Sequence, residues 1–444
     1  MRVRSASSTL RWPALVPPKA HKVHALWVQL IQGQGLTATA LQALQDKQLA
    51  ARLVHAAQHS THFAPQLKGV QIVPENAREV LARLPLLGRA DLQTQAESIY
   101  CATGPWHGAV QEKRTTGSTG QPVVVRCTDA AFDLREAITL RNFAGFGMDV
   151  RQSFAAIRSG VAKGHPEGIS RPGWGGVIGQ LFVTGPSHAL DLATPVEQQI
   201  AWLEKHRPTY LLTYPSNLQL LMSMGLRAWS GLQGILTVGE NVSDELRQNV
   251  HTCLKAAVWD QYSCEEAGHL AAQCSAGQYH VPSENVLLEV LREDGSACLP
   301  GETGRVVVTD LRNFASALLR YELRDYAELG STCSCGRHSP VLRRMLGRTR
   351  QQIHLPDGRK VWPSTGLRNF VDVPLRQFQL VQLSLHRLEL RVHTDRELTP
   401  QEKIRIVETV QTALGHPFDI EVVNSLQALP LGPGGKFEQF VSLV

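Results

Sequence analysis

The sequence lacks several features that would place it in a broad class at once. It has no apolar run close to the roughly 20 residues that cross a bilayer. It has no tract of lysine and arginine of the kind that binds nucleic acid, and no internal repeat. These absences argue against a membrane-spanning protein, a nucleic-acid-binding protein or a repeat scaffold, and they leave an ordinary globular protein.

The bulk numbers describe an ordinary globular chain with a mild positive charge. Its 444 residues suggest two or three domains, each able to bury its own core. Hydrophobic residues make up 43% and charged residues 19%, as in typical globular domains. A net charge of +6, from 45 basic and 39 acidic residues, suits anionic small ligands such as nucleotides.

Residues 1–40 differ from the rest of the chain in charge. Before Asp46 the only charged side chains are basic: Arg2, Arg4, Arg11, Lys19 and Lys22. With the nearby serines and prolines they favour a basic, poorly ordered leader, and they resemble an organellar transit peptide more weakly. The apolar segment of a secretory signal does not follow, so we expect a cytoplasmic protein.

Hydrophobic patterning predicts alternating helices and strands. Apolar residues at helical spacing predict helices over 40–58, 129–145, 194–206 and 215–226. Asp129 is in place to cap the second of these. Short β-branched runs predict strands at 178–183, 209–213, 234–238 and 286–291. This alternation favours an α/β fold, with helices layered on mostly parallel sheets.

The last part of the chain predicts a smaller, separate unit. A polar stretch with a Pro-Asp-Gly turn covers 348–364. An alternating strand, a helix and a second strand follow at 382–393, 399–415 and 419–423. We therefore predict a large domain over 1–347 and a small α+β domain over 348–444.

The segment 115–125 reads TTGSTGQPVVV and predicts a flexible loop between two strands. A Walker phosphate loop ends in Gly-Lys-Ser/Thr and opens a helix, and this segment does neither. Glycines give the backbone freedom and hydroxyls supply donors, as a loop that closes over phosphate oxygens requires. An ordinary hairpin turn has the same composition, so the loop alone does not decide between the two.

Six segments together resemble the adenylate-forming enzyme superfamily, in the order in which that family carries its motifs. The loop matches the family's phosphate loop, Ser/Thr-Ser-Gly-Thr-Thr-Gly-x-Pro. The other matches are TVGENVSDEL (237–246), WDQYSCEEAG (259–268), LRYELRD (319–325), MLGRTR (345–350) and LPLGPGGKFEQF (429–440). HAAQHSTHFAP and TYPSNLQLL narrow the resemblance to phenylacetate–CoA ligases and their capsule-biosynthesis-associated relatives.

This resemblance implies an enzyme that joins an acid to a thiol and forms AMP. A carboxylic acid, expected to be aromatic, attacks the α-phosphorus of ATP in the presence of Mg²⁺. Coenzyme A then displaces AMP from the acyl-adenylate. Two alternatives stay open: transfer to an amine or a carrier protein, and a nucleotide-binding relative without turnover. The oligomeric state is also open, and a homodimer is compatible with the sequence.

The resemblance also implies which residues contact the nucleotide. The residues that would bind the β- and γ-phosphates are Thr115, Thr116, Gly117, Ser118, Thr119 and Gly120. Glu266 would hold Mg²⁺, for which a carboxylate is a suitable hard ligand. Asp325 would accept hydrogen bonds from both ribose hydroxyls, and Arg348 would reach ribose or phosphate. The remaining nucleotide-binding residues are Gly239, Glu240 and Tyr262.

Lys436 is the expected catalytic lysine, together with Glu266 as the second catalytic residue. It would bridge the attacking carboxylate and the α-phosphate, carried there by a small domain that rotates about residues 347–351. The sequence departs from the family pattern at two positions. Ser263 replaces a glycine, and Arg350 stands where many relatives carry an acidic hinge residue.

The acid pocket is expected near TYPS and the glycine-rich stretch 171–182. Tyr214, Trp174 and Phe182 are its candidate lining residues, because aromatic rings stack on an aromatic acid. Aromatic residues at such positions belong to a core about as often, so that alternative stays open.

Eight cysteines in a long cytoplasmic chain favour metal binding or free thiols over disulfides. Cys274, His280, Cys333 and Cys335 supply the three sulfurs and one imidazole that tetrahedral Zn²⁺ accepts. Relatives in this branch can carry a metal knuckle here, and four protein ligands would make the zinc structural. The alternatives are surface thiols without metal, or exchange of one ligand for Cys264, His269 or His338.

Overall fold

A computed structural model describes residues 3–10, 12–115, 122–348, 352–361, 373, 375–430, 432 and 437–444. The helices before the first strand are α1 (His21–Gly33), α2 (Ala38–His59), α3 (Ala64–Leu67), α4 (Ala77–Arg83), α5 (Arg89–Thr94) and α6 (Ala96–Ile99). Among these described residues, no helix is both long and apolar enough to cross a membrane.

The amino-terminal segment is folded where the structure describes it, contrary to the expectation of a poorly ordered leader. Helix α1 buries Val23 and Leu30 in a core that also contains Leu134 and Ile138. Val3 forms an isolated bridge with Phe182. The apolar face of α1 therefore outweighs the effect of the basic residues around it, because burial of aliphatic side chains stabilises the docked helix.

A hairpin leads into the first long helix of the large domain. Strands β1 (Val110–Arg114) and β2 (Val124–Thr128) pair antiparallel on either side of the phosphate-loop segment. Helix α7 (Asp129–Gly145) follows directly, as predicted. Its N-cap is Thr128 rather than Asp129, because the Thr128 hydroxyl accepts the Ala131 N–H.

The main sheet has twelve strands, and half of it alternates with helices along the chain. Its first elements are β3 (Phe154–Arg158), β4 (Ile169–Arg171), α8 (Gly176–Leu181), β5 (Ser187–Asp191), α9 (Val196–His206), β6 (Tyr210–Thr213), α10 (Pro215–Ser223), β7 (Gly234–Val238), α11 (Asp244–Leu254) and β8 (Ala257–Cys264). Strands β3, β5, β6, β7 and β8 pair parallel.

The other half of the sheet is antiparallel. It consists of β9 (Gly268–Gln273), β10 (Tyr279–His280), β11 (Val286–Leu291), β12 (Thr303–Asp310), β13 (Tyr321–Leu329) and β14 (Val341–Arg348). The strand order is β11-β12-β13-β14-β10-β9-β8-β7-β6-β3-β5-β4. The predicted α/β fold is confirmed, and its parallel part is confined to the run from β8 to β5.

The elements predicted in the large domain agree with the structure at all but one place, and in the small domain the strand predicted at 382–393 is β18 (Arg387–Thr394), with residues 383–386 outside any strand. The strands predicted at 209–213, 234–238 and 286–291 correspond to β6, β7 and β11. The strand predicted at 178–183 is wrong, since residues 176–181 form the short helix α8. Gly175 and Gly176 have positive φ there and turn the chain into that helix despite its β-branched residues.

A smaller C-terminal domain has its own sheet and core. After the short strands β15 (Ile353–His354) and β16 (Lys360–Val361) come β17 (Leu375–Gln382), β18 (Arg387–Thr394), α12 (Pro400–Leu414), β19 (Asp419–Ser425) and β20 (Phe440–Ser442). The order β19-β18-β17-β20 makes a four-stranded sheet. Helix α12 begins with a capping box between Thr399 and Glu402 and buries Ile406 and Val410 against it.

Candidate active site

The phosphate-loop segment is anchored at Thr115, the one member of the predicted set that the structure describes. Its backbone N–H donates to the Val123 carbonyl at 2.9 Å. Its hydroxyl accepts the Val123 N–H at 3.0 Å, and the side chain is buried. Thr115 therefore closes the base of the loop. The predicted residues 116–120 lie outside the described residues.

Arg89, at the start of α5, joins this loop base to Glu266. One guanidinium nitrogen donates to the Thr115 hydroxyl at 3.4 Å. The other lies 3.6 Å from the Glu266 carboxylate. The arginine is largely buried, so its charge acts on this site through a medium of lower dielectric constant than water.

Glu266 lies at the turn between β8 and β9 and is 8% exposed. The Tyr321 hydroxyl donates to its Oε1 at 3.3 Å. Burial, and then the Glu266 charge, raises the pKa of the Tyr321 phenol, which keeps that hydroxyl protonated as a donor. The carboxylate is thus held in place by one cation and one hydroxyl.

Tyr262 and Asp325 form the second part of the site. The Tyr262 hydroxyl, on β8, donates to Oδ2 of Asp325 at 2.7 Å. Asp325 lies on β13, and its backbone pairs in register with Arg348 on β14. The structure therefore brings together three predicted nucleotide-binding residues from three different strands.

The predicted adenine-side residues lie at the carboxyl end of β7. Gly239 has a φ of +76°, which allows the chain to turn sharply after the strand. The Glu240 carboxylate accepts hydrogen bonds from the backbone N–H and the hydroxyl of Ser216, at 2.9 and 3.0 Å. Ser216 is in the first turn of α10, where N–H groups favour a negative charge. Glu240 thereby fixes the loop against this helix.

Of the three predicted acid-pocket residues, Phe182 and Tyr214 are buried and Trp174 is partly exposed. Phe182 is fully buried and packs edge-on against Trp27 of α1, with ring centroids 5.6 Å apart. Tyr214 is 4% exposed at the start of α10. The Trp174 indole donates to the Gln152 carbonyl at 2.9 Å. Phe182 is therefore a core residue, since docking of α1 covers the ring.

A small cavity, with room for about one water molecule, lies beside Glu266, between α7, β9 and the end of β12. None of Tyr214, Trp174 and Phe182 lines it. Its lining includes Phe132, Arg135, Glu266, Gly268, His269 and Asp310. This lining contains both polar and apolar residues, and sequence patterning did not reveal it, because its members come from segments far apart in the chain.

The four predicted metal ligands meet at the edge of the antiparallel half. Their ligand atoms all lie within 4.8 Å of one another. The Cys274 and Cys333 sulfurs are 3.5 Å apart, and the Cys335 sulfur is 3.2 Å from His280 Nε2. The other His280 nitrogen, Nδ1, is 3.0 Å from the Ser339 hydroxyl, a second contact that orients a metal-binding imidazole.

The alternative ligands are not part of this cluster. Cys264 accepts the Ala267 N–H at 3.2 Å, and His269 lies against Thr139 at 2.9 Å. The geometry therefore selects the set of three cysteines and one histidine that the spacing predicted. Lys436 and the hinge residues 349–351 lie outside the described residues.

Sequence reasoning missed Arg89 and Arg135, and it considered His269 only as an alternative metal ligand. None of them belongs to a motif, and each contributes only through a partner distant in the chain. A half-buried arginine and a half-buried histidine leave no periodic signal in a sequence. Only the packing of α5 and α7 against the sheet identifies these three residues.

Neither a protein-family model nor a curated protein sequence matches this chain. Solved structures match it in fold. A 2-hydroxyisobutyryl-CoA ligase in the postadenylation state, in complex with R3-HIB-AMP, has a TM-score of 0.73 at 17% identity, over 92% of this chain and 91% of the ligase. The same ligase in an open conformation, with 2-HIB-AMP and CoA, has a TM-score of 0.59 at 17% identity, over 92% and 93%.

An anthranilate CoA ligase in complex with anthranoyl-AMP is similar over a shorter length. Its TM-score is 0.55 at 13% identity, over 74% of this chain and 65% of that protein. At these identities the matches establish a common fold. The chain therefore has the fold of these adenylate-binding CoA ligases.

Proposed function

We propose that this protein activates a carboxylic acid with ATP and transfers the acyl group to coenzyme A. The first half-reaction forms an acyl-adenylate and pyrophosphate, and the second forms a thioester and AMP. The observation that carries the proposal is the contact chain from Thr115 through Arg89 to Glu266, at the base of the phosphate-loop segment. The neighbours in fold, described as CoA ligases with bound acyl-adenylates, support it.

Adenylation brings a carboxylate against a polyanion, so cations and donors must surround the phosphates. Arg89 is a cation of the large domain held at the loop base. It is oriented before any ligand arrives, and a preoriented charge loses little free energy to reorganisation when the reaction proceeds. Arg89 would thus attract the β- and γ-phosphates toward the loop.

Glu266 would hold Mg²⁺, which would neutralise phosphate charge as the α-phosphorus is attacked. The donor chemistry fits, since a carboxylate oxygen is a hard ligand. The contacts from Arg89 and Tyr321 fix the direction in which this carboxylate points.

Asp325 would bind the ribose. An ionised carboxylate can accept from two vicinal hydroxyls, and Tyr262 already occupies one position on Oδ2. This bond holds the carboxylate between β8 and β13. Arg348, paired with Asp325 in the β13–β14 register, would reach ribose or phosphate from the neighbouring strand.

Lys436 would supply the positive charge that bridges the attacking carboxylate and the α-phosphate. In this proposal the large domain covers 1–347, and the small domain over 348–444 carries the lysine. Thioester formation needs the lysine withdrawn so that a thiol can enter. The small domain would therefore rotate between the two half-reactions.

The cluster of Cys274, His280, Cys333 and Cys335 would bind a structural Zn²⁺. Zinc in such sites is tetrahedral, with sulfur ligands at about 2.3 Å and imidazole at about 2.0–2.1 Å. Ligand atoms within 4.8 Å of one another fit that arrangement. Four protein ligands would leave no open position, so this metal would tie the β9–β10 and β13–β14 connections together rather than act on substrate.

The decisive experiment is ATP–pyrophosphate exchange across a panel of carboxylic acids, followed by thioester formation with coenzyme A. Lys436→Ala should lower kcat of adenylation by roughly 100-fold or more with little change in ATP affinity, because the lysine acts mainly in the transition state. Lys360→Ala, on an exposed side chain of the same domain, is the control. Wild-type exchange in Lys436→Ala would remove this lysine from the mechanism.

A further inference from the structure

Asp260 of β8 is a buried carboxylate that the proposed mechanism does not use. Its side chain is 4% exposed, and its two oxygens accept hydrogen bonds from two other strands. The Thr237 hydroxyl of β7 donates to Oδ1 at 2.7 Å. The Tyr279 hydroxyl of β10 donates to Oδ2 at 2.7 Å. A buried carboxylate costs free energy unless such donors satisfy it, so each bond constrains the strand that supplies it.

The bond from Tyr279 crosses an intervening strand. Because β9 lies between β8 and β10, the two backbones are roughly 9–10 Å apart at the ordinary strand spacing. The long Tyr279 side chain spans that distance and is itself buried. Its hydroxyl also accepts from the Arg247 guanidinium of α11 at 3.2 Å. The hydrogen bonds therefore run in one direction, from Arg247 through Tyr279 to Asp260.

The pKa shifts agree with this direction. Burial raises the pKa of the Asp260 carboxyl, and the hydrogen bonds from Tyr279 and Thr237 oppose that rise. Burial, and then the Asp260 charge, raises the pKa of the Tyr279 phenol, which keeps its hydroxyl protonated as a donor. The carboxylate is thus satisfied only while β7, β8 and β10 keep their present separation.

On the parallel side, these bonds hold the strands that carry two predicted nucleotide-binding residues. Thr237 and Asp260 are backbone partners in the β7–β8 register. Thr237 lies two residues before Gly239, and Asp260 lies two residues before Tyr262. A shift of either strand would therefore displace the adenine-side residues or the Tyr262 hydroxyl.

On the antiparallel side, Tyr279 belongs to the strand next to β14. Its backbone pairs with Leu342 of β14, and the far end of β14 pairs Arg348 with Asp325 of β13. The bond from Tyr279 to Asp260 therefore joins the strands that carry the adenine-side residues and Tyr262 to the strands that carry Arg348 and Asp325.

We propose that Asp260 is a positioning residue of the nucleotide site, and that its bonds to Thr237 and Tyr279 set the separation between the two halves of that site. The inference rests on the proposed ATP binding and deepens it. ATP that contacts the residues after β7 with its base and Asp325 with its ribose spans both halves of the sheet. A separation that is fixed before ATP arrives avoids the cost of ordering the site, which tightens binding.

Variants that remove one donor each test this role. Tyr279→Phe keeps the ring, and Thr237→Val keeps the shape of the side chain. Each should raise the Kd for ATP, measured by calorimetry well below Tm, by roughly 5- to 30-fold, the effect of losing about one hydrogen bond. In ATP–pyrophosphate exchange the KM for ATP should rise while kcat stays nearly constant, because the loss is equal in the ground and transition states. Thr237→Ser retains the hydroxyl and should bind ATP as the wild type does.

Tyr210→Phe is the matched control. The Tyr210 hydroxyl is also buried, and it donates to Gln233 at 3.0 Å, but it lies at the amino end of β6, away from Gly239. Its removal should lower Tm by an amount similar to that in Tyr279→Phe and leave the Kd for ATP unchanged. A purely structural role of the Asp260 bonds would make the two variants alike in both measurements.

The outcomes separate this inference from the proposed function. An unchanged Kd for ATP in folded Tyr279→Phe and Thr237→Val would overturn the inference and leave the proposed function standing. A raised Kd in both variants, in a protein whose wild type exchanges with no carboxylic acid, would support the inference and overturn the proposed acid activation. A wild type that does not bind ATP would overturn both.

Discussion

The parallel and antiparallel halves of the twelve-stranded sheet contain different kinds of residue. From β5 to β8 the strands are joined by helices and bury aliphatic side chains such as Leu190, Leu211 and Ile235. From β8 to β11 the strands are antiparallel, and they carry or adjoin Glu266, Asp325 and the metal-ligand cluster. Strand β8 belongs to both halves, and Tyr262 lies near its end.

The difference follows from how each half is connected. A parallel pair requires a crossover helix that covers the sheet, so its strand faces meet apolar helix surfaces. Antiparallel strands need no such cover, and their turns can bring polar side chains together across a large sequence distance. Cys274 and Cys333, for example, meet although 59 positions separate them. Variants in the buried apolar core of the first half should therefore change stability, and variants at the polar residues of the second half should change nucleotide or metal binding.

Ile235→Ala should have the largest effect on stability. The side chain is fully buried on β7, and its loss leaves a cavity that costs about 2–5 kcal/mol of the free energy of unfolding. Thermal or urea unfolding measures this, with Ile404→Ala on an exposed isoleucine as control. The KM for ATP should not change. A large increase in KM without loss of stability would contradict the division between the halves.

Cys333→Ser should remove bound zinc and lower Tm together. If zinc at about 100 times its Kd stabilises the fold by about 2.7 kcal/mol, Tm should fall by roughly 5 °C or more. Elemental analysis and scanning calorimetry measure the two quantities, and Cys253→Ser, on an exposed cysteine, is the control. Protein that contains no zinc when purified, yet is fully folded, would end the metal hypothesis.

Asp325→Ala should raise the KM for ATP by roughly 10- to 100-fold, because each hydrogen bond to a charged group contributes about 1.5–3 kcal/mol. Asp191→Ala is the matched control from the parallel half, where the carboxylate accepts the Gly160 and Ala193 N–H groups. That change should leave the KM unaltered. Equal effects of both variants on the KM would show that Asp325 stabilises the fold and does not bind the nucleotide.

The smallest expected effect is a change in the pH dependence of stability. The pKa of His269 is lowered from 6.5 to about 3 by burial, so below about pH 6.5 the unfolded state binds the extra proton. The stability contribution of the neutral ring is present above pH 6.5 and is lost as pH falls toward 3. Between pH 7 and 4.5, Tm of the wild type should fall more steeply than Tm of His269→Gln. His251→Gln, on an exposed histidine of α11, should follow the wild type.

Local sequence patterning was sufficient to predict most helices and strands. It was insufficient where tertiary packing determines the conformation of a segment. Helix α7 and strands β7 and β11 have the predicted bounds, because periodicity and β-branching are local properties. The error at 178–183 arose because two glycines with positive φ redirect an apolar run into a helix. The expectation for 1–40 erred because charge is visible in a sequence, whereas the surface on which α1 docks is not.

The candidate site residues also divide into those that the sequence predicted and those that only the tertiary structure revealed. The family resemblance of the motif segments predicted Thr115, Glu266, Tyr262 and Asp325 as nucleotide-site residues, and the cysteines and histidine predicted the metal-ligand set. Their chemistry restricts which residues can serve, so the candidates are few in any sequence. Tertiary structure alone joined Arg89 to Glu266, placed Phe182 in the core and set Arg135 and His269 beside a cavity. Those outcomes depend on the distance and direction between side chains on separate elements, and these are settled only when the helices pack against the sheet.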